Sequence, residues 1–330
     1  MYLGDADLSQ DNRDRLEALS AVTTRNMAQM TGHTGMELNS YASKPFSILL
    51  SSFREALFID ADCFFFQNPA ALFDSQWYNE TGALFFRDRR VGPHPRKEWL
   101  EQILPEPVSE KAMGSRFWTG ESSHEQESGL ILVDKWRHFV SLLLVTRLNG
   151  LERFSENGGA GVYEMVHGDK ETFWLGWELA GDVDYSFHPG AVAGMGAARV
   201  VVPERGNQTS QADEAKLDYD VCKLCSSQLL HMDADGMPLW VNGWILGNKN
   251  QDPQHWEYGA WQHYAVEPPT NSSQGALEWE LGLDNYCCIT VACQGKRNFT
   301  EEQQAILAVL INKAMEVGAS IRDNQTDTIT

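Results

Sequence analysis

The sequence predicts an α/β fold around a central sheet, and three observations carry that prediction. Short apolar runs of strand length recur at 56–59, 82–86 and 129–133. Segments with helical spacing of apolar residues lie between and after them, the alternation expected when helices cover a sheet. The chain can also fill such a core, with 330 residues, 42% of them hydrophobic, including 11 Trp and 15 Phe.

Residues 1–42 are polar and irregular, with a helix expected near 12–19. Ser43 and Pro45 open a second helix whose apolar face is Phe46, Leu49, Leu50 and Phe53, at i, i+3, i+4 and i+7. The run 56–59 that follows suits the middle of a sheet covered on both faces, and it ends on Asp60. A helical turn at 69–73 leads to the strand 82–86. After the strand 129–133, Trp136, Phe139, Val140, Leu143, Leu144 and Arg147 mark the next helix, closed by Asn149-Gly150. Asp169 is placed to cap a helix through Trp177 and Leu179, with Gly181 past its end.

Residues 203–220 read as a surface loop, and 228–232 with 238–241 read as a hairpin around Asp233-Ala234-Asp235-Gly236. Residues 256–269 are aromatic and irregular. Thr300-Glu301-Glu302-Gln303 is a capping box, and Ile306, Val309, Leu310, Ala314 and Val317 give the last helix an apolar face. No internal repeat or low-complexity segment interrupts the chain. Residues 1–330 read as a single domain, with the motifs in 43–250 and an irregular segment and helix in 251–330.

The formal net charge of −20 argues against a phosphate-backbone partner, because nucleic-acid binding needs a basic face that releases counterions. It equally disfavours an anionic membrane surface. No run of about 18 apolar residues forms a membrane span, and Met1 to Asp5 do not form a signal peptide. Six cysteines and five Asn-x-Ser/Thr sequons, at Asn79, Asn207, Asn271, Asn298 and Asn324, point to the secretory pathway. Cys222-Lys223-Leu224-Cys225 lacks the matching second pair of a zinc knuckle, so structural disulfides to the cluster Cys287, Cys288 and Cys293 are favoured over a metal site, while Cys63 either stays free or pairs elsewhere.

Asp-x-Asp occurs at 5, 60, 182, 218 and 233, so context has to separate the copies. Only Asp60-Ala61-Asp62 follows a buried strand, and ligands of open α/β sheets bind beyond the carboxyl ends of strands. Two carboxylates there repel unless a cation joins them. Mg²⁺ or Mn²⁺ suits such hard oxygen ligands, and the ion can in turn hold a diphosphate. Lys44 and Lys170 could neutralise diphosphate oxygens, and Trp240 could stack on a sugar face. Gly194-Met195-Gly196 lacks the rest of a dinucleotide fingerprint, and no hydrolase triad motif or phosphate-binding Gly-Lys-Ser/Thr loop occurs.

Lys44-Pro45-Phe46, Ser51-Ser52-Phe53, Phe58-Ile59-Asp60-Ala61-Asp62, Gln67-Asn68-Pro69, Leu72-Phe73 and Gly82-Ala83-Leu84-Phe85-Phe86 together resemble the core of the fungal α-1,3-mannosyltransferases, glycosyltransferase family 71. Gln126-Glu127-Ser128-Gly129, Val133-Asp134-Lys135, residues 168–174 and residues 231–243 resemble further motifs of that family in the same order. The resemblance covers roughly residues 1–250.

It implies a GT-A fold with a mixed central sheet. The family's membrane anchor, stem and first strand fall ahead of the residues present, which leaves 1–42 as a remnant of the nucleotide-binding half. It further implies GDP-mannose as donor, a mannose-terminated N- or O-linked glycan as acceptor, and an α-1,3 product of retained configuration. The family setting is the Golgi lumen, as a type II membrane protein.

By the same resemblance Asp60, Asp62 and His231 are the ligands of Mn²⁺, or Mg²⁺, and Asp60, Lys44, Lys170 and Trp240 bind the donor. Asp169, Glu127 and Glu171 are the catalytic carboxylates, Asp169 foremost, although Asp169 and Glu171 also read as acids of a helix's first turn. Retention through a carboxylate nucleophile and retention by front-face attack both remain open. The alternative is a non-catalytic glycan-binding or scaffolding protein with an incomplete donor pocket.

Overall fold

In a computed structural model of the chain, residues 1–4, 6–32, 38, 40–150, 153–154, 161–200, 221–243, 245–247, 257–259, 261–270, 275–281 and 287–326 are described. The strands among them are β1 (Glu55–Ile59), β2 (Cys63–Phe65), β3 (Ala83–Arg87), β4 (Gln126–Asp134), β5 (Ser186–Phe187), β6 (Val192–Val200), β7 (Val221–Met232), β8 (Pro238–Asn242), β9 (His263–Val266), β10 (Glu278–Leu281), β11 (Cys287–Ala292) and β12 (Arg297–Asn298). The fold is mixed α/β, and its contacts divide it into two compact units.

The first unit is Met1–Ile59 with Ala70–His188. Its sheet runs β1-β4-β3-β5, antiparallel except for the parallel pair β3 and β5, so it is a mixed sheet. All nine residues of β4 are buried, three earlier and one later than the apolar run alone indicates. Phe85, Ile131, Val133, Leu142, Val145, Trp174 and Trp177 build its core with Ile48 and Leu100. The helices Phe139–Asn149 and Thr172–Leu179 pack closely because position 176 is glycine: a Cβ there would lie 2.4 Å from Val145 Cγ2.

Several local expectations change in this unit. β1 is a terminal strand, with Ile59 40% exposed, so it is covered less than a continuous apolar run suggests. The helix Ser43–Leu50 stops before Phe53, which is 67% exposed. The helix after β4 buries Ser141, Leu142, Val145, Thr146, Leu148 and Asn149, while Trp136, Phe139, Val140 and Leu143 face outward. Polar satisfaction decides that rotation. His138 Nδ1 and Ser141 Oγ both meet Asp182 Oδ2, and Asn149 Nδ2 donates to Val145 O and Thr172 Oγ1. Asp169 does not cap the helix Thr172–Leu179 with its side chain; its backbone carbonyl accepts from the Thr172 N–H and hydroxyl.

The second unit is Asp60–Pro69 with Pro189–Thr330. Its strands run β10-β11-β7-β6-β9-β12, with β8 paired to β7 and to β2, and every pairing is antiparallel. The hairpin of β7 and β8 turns at Asp233, whose N–H meets Met237 O, with Gly236 at φ +78°. Disulfides Cys222–Cys293 and Cys225–Cys288 join the two late cysteine clusters as expected. The segment Gly194-Met195-Gly196 lies inside β6. Residues 203–220 and Trp244 lie outside the described residues, and 256–269 include β9. The helix Glu301–Thr326 buries Leu307 and half-buries Ile306, Leu310 and Ile311, with Val309 and Val317 exposed, so its inner face is turned from the one expected. Among the described residues no helix is long and apolar enough to cross a membrane.

Candidate functional site

The first unit gathers five of the expected site residues into one buried cluster. Lys44 comes from the first turn of the helix Ser43–Leu50, Glu127 and Ser128 from the polar start of β4, and Asp169, Lys170 and Glu171 from the turn before the helix Thr172–Leu179. Lys44 Nζ donates to Ser128 Oγ at 3.2 Å and lies 3.7 Å from Asp169 Oδ2. Lys170 Nζ donates to Glu127 Oε2 at 2.8 Å and to Asp88 Oδ2 at 2.6 Å. Glu127 Oε1 takes the Gly129 N–H at 2.8 Å, so both of its oxygens are engaged.

Charge states follow from burial set against these partners. Burial, the largest influence on Asp88, raises its pKa, but Lys170 and Arg89 with the Lys170 hydrogen bond outweigh it and hold the carboxyl below the usual range. Burial likewise lowers Lys170, yet Asp88 and Glu127 drive it above its ordinary value. Asp169 goes the other way: burial raises it, and Lys44 only partly compensates. Its Oδ2 accepts no hydrogen bond among the described residues. Burial pushes Glu171 up to about 8 against the donors that pull it down. Those donors are the Glu125 N–H at 2.9 Å, the Gln126 N–H at 3.4 Å and Trp174 Nε1 at 2.6 Å. Glu171 therefore braces β4 against the helix that follows it. His124, pushed down to about 4 by burial, is neutral beside it, its Nδ1 3.9 Å from Glu171 Oε1.

The second unit holds the other four. Asp60 and Asp62 lie on a tight turn in which Cys63 N–H donates to Asp60 O, and both are half-buried. Asp62 O accepts from Gly243 N–H. His231 and Trp240 are opposite residues of β7 and β8, and Trp240 is in turn opposite Phe65 of β2. Their rings stack with centroids 4.0 Å apart and planes at 7°, and both are buried.

The register puts His231 in one row with Trp240 and Phe65, whereas Asp60 and Asp62 precede β2, Asp62 in the turn that leads into it. Among the described residues no group of three or more His, Cys, Asp or Glu side chains forms a metal site. Asp60 and Asp62 alone fit a hard divalent ion that keeps its other positions for water and phosphate oxygens. His231 and Trp240 serve the core of their unit, and the indole face is covered by the imidazole.

Asp88 and His124 escape sequence reasoning. The signal for Asp88 was present, since it stands just after the apolar run 82–86 as Asp60 stands just after 56–59. Its flank, Arg87-Asp88-Arg89-Arg90, reads as a solvated charge cluster, whereas Asp88 is fully buried. No pattern marks His124.

The family model described as "Mannosyltransferase putative" matches residues 1–233. "Putative alpha-1,3-mannosyltransferase MNN15" of Candida albicans is 32% identical over 227 residues, covering 64% of this chain and 27% of the relative. "Alpha-1,3-mannosyltransferase MNT2" of Saccharomyces cerevisiae is 27% identical over 288 residues, covering 77% and 47%. "Alpha-1,3-mannosyltransferase MNN1" of Saccharomyces cerevisiae is 26% identical over 237 residues, covering 63% and 29%. The chain thus spans between about a quarter and a half of the length of these relatives. With residues 1–233 of 330 matched, the chain belongs to this mannosyltransferase family.

Proposed function

We propose that the chain carries the catalytic region of a retaining α-1,3-mannosyltransferase of GT-A fold, moving mannose from GDP-mannose to a terminal mannose of an N- or O-linked glycan in the Golgi lumen. The observation that carries this reading is the family match, whose span includes the whole buried lysine–carboxylate cluster and Asp60-Ala61-Asp62. The names of the relatives support the α-1,3 linkage. Two disulfides support a lumenal, oxidising setting.

In this reading Asp60 and Asp62 hold Mn²⁺, or Mg²⁺, without His231. The ion's contribution is to stabilise the negative charge of the leaving diphosphate. Lys44 keeps Asp169 oriented and balances its charge. Of the two acids open to the chemistry at the anomeric carbon, Glu127 has both oxygens committed, to Lys170 and to Gly129 N–H. Asp169, with an oxygen that accepts no hydrogen bond among the described residues, is the stronger candidate. Lys170 and Asp88 fix Glu127, and Glu171 braces the strand that carries it.

The purified protein, incubated with GDP-mannose, Mn²⁺ and a mannobiose acceptor, should release GDP. Asp62→Ala should abolish the manganese-dependent part without unfolding the chain, and full turnover by that variant would sink the metal assignment. A second reading, a non-catalytic glycan-binding protein, is favoured by one observation: Asp169, Glu127 and Glu171 are all buried with at most a trace of exposed surface. Calorimetric titration with GDP and Mn²⁺ separates the two, because absence of binding supports the second.

A further inference from the structure

Of the five sequons, Asn207, Asn271 and the side chain of Asn324 lie outside the described residues, and Asn79 and Asn298 lie within them. Asn298 stands in an unusual position. It belongs to β12, the two-residue strand that ends the larger sheet and that, among the described residues, pairs only with β9, through Arg297↔Tyr264 and Asn298↔His263. Both β12 residues are exposed.

The next residue, Phe299, is buried among Phe66 and Tyr264, with ring centroids 5.3 and 4.9 Å away. In an extended chain, side chains alternate, so anchoring Phe299 inward turns Asn298 and Thr300 outward. His263 Nδ1 meets Asn298 Oδ1 at 2.7 Å, which leaves the amide nitrogen on the solvent side.

We propose that Asn298 is an N-glycosylation site and that its glycan shields the open edge of the β12 end of the sheet. The inference rests on the lumenal setting of the proposed function and not on catalytic activity. In the transfer, Asn298 Nδ2 loses a proton and bonds to C1 of the first sugar of a lipid diphosphate-linked oligosaccharide, whose C1–O bond breaks with departure of the diphosphate. Thr300 Oγ1 accepts from Gln303 N–H at 3.2 Å and its N–H donates to Gln303 Oε1 at 3.0 Å, so the sequon hydroxyl caps the last helix while keeping its own proton and a second lone pair.

A terminal strand exposes N–H and C=O groups that template pairing with another chain, and natural proteins blunt such edges. A bulky, hydrated glycan on an outward-facing residue of β12 does so by excluded volume.

The test is peptide mapping by mass spectrometry of the protein secreted from a eukaryotic host behind an added cleavable signal sequence, before and after peptide N-glycosidase. The expected result is a glycan on the peptide carrying Asn298, converted to aspartate by the enzyme. Asn298→Gln should lose one glycan's gel shift, and Thr300→Ser, which keeps both sequon and hydroxyl, should retain it. An unmodified Asn298 peptide in protein whose Cys222–Cys293 and Cys225–Cys288 bridges are formed overturns the proposal while the lumenal reading stands. An unmodified peptide with all four of those cysteines reduced overturns both. The wild-type peptide map decides the matter even if a variant fails to be secreted.

Discussion

Replacing Lys170 with methionine removes the cation shared by two buried carboxylates, of which Asp88 keeps Arg89 Nη1 at 4.0 Å. The ammonium lies 2.6 Å from Asp88 and 2.8 Å from Glu127, whose side chains are each 1% exposed. Methionine preserves most of the stem, so the loss reports the charge rather than a cavity. Breaking a buried ion pair by removing one partner costs about 3–5 kcal/mol, because the remaining charge is stranded in a low-dielectric site. Two carboxylates lose their shared cation here while Asp88 keeps Arg89 nearby, so a loss within that range is expected, a fall of roughly a hundredfold or more in the folded-to-unfolded ratio, at about 1.4 kcal/mol per tenfold. Denaturant unfolding followed by tryptophan fluorescence reads it, since Trp174 and Trp177 lie in the core of the same unit. Adding Asp88→Asn to Lys170→Met should recover part of the loss by removing one stranded charge, a coupling that a double-mutant cycle measures. A loss below about 1 kcal/mol, against the 3–5 expected for a buried pair, or a second substitution that adds its own full cost, would refute the clamp.

Three further outcomes follow from particular contacts. Gly176→Ala should destabilise by about 1–3 kcal/mol, because its Cβ would enter space held by Val145 Cγ2 at 2.4 Å and by Ser141 O at 3.0 Å; equal stability in a urea titration would mean the two helices are not in that contact. Glu171 ionises near its ordinary 4.5 when unfolded but near 8 when folded, so between those values the native state binds more protons. Its stabilising contribution is complete below the lower value and declines as pH rises through the upper one. Glu171→Gln should accordingly flatten the stability–pH curve in that window, and unchanged slopes would show that the donors around Glu171 keep it ionised. Converting Cys222 and Cys293 together to alanine should cost about 2–5 kcal/mol, measured under oxidising conditions, because the bridge closes a sequence separation of 71.

The sequence carried the local part of this structure well. Apolar run length located β1, β3 and β4, the Asp-Gly turn located the hairpin of β7 and β8, and the capping box located the last helix. It carried less of what depends on tertiary partners. The helix after β4 shows an apolar stripe in sequence, yet Asp182 and Thr172 draw its polar residues inward, and neither partner is visible from periodicity. Asp60 stood out as an acid after a strand, whereas Asp88, in the same setting, was hidden by its arginine neighbours. Spacing along the chain also says nothing about register. His231 looks as good a ligand as Asp62 until the pairing of β2, β8 and β7 puts Phe65, not Asp62, in its row. By contrast Lys44, Glu127, Asp169, Lys170 and Glu171 come from three distant segments and do meet, in the cluster that β4 organises.

The most direct measurement is the linkage of the product formed from GDP-mannose and a mannobiose acceptor in the presence of Mn²⁺, read by nuclear magnetic resonance of the purified trisaccharide. The expected product carries a new α-1,3-linked mannose with retained anomeric configuration, lost in Asp62→Ala and strongly reduced in Asp169→Asn. An inverted or differently linked product, or release of GDP that is indifferent to both substitutions, would contradict it.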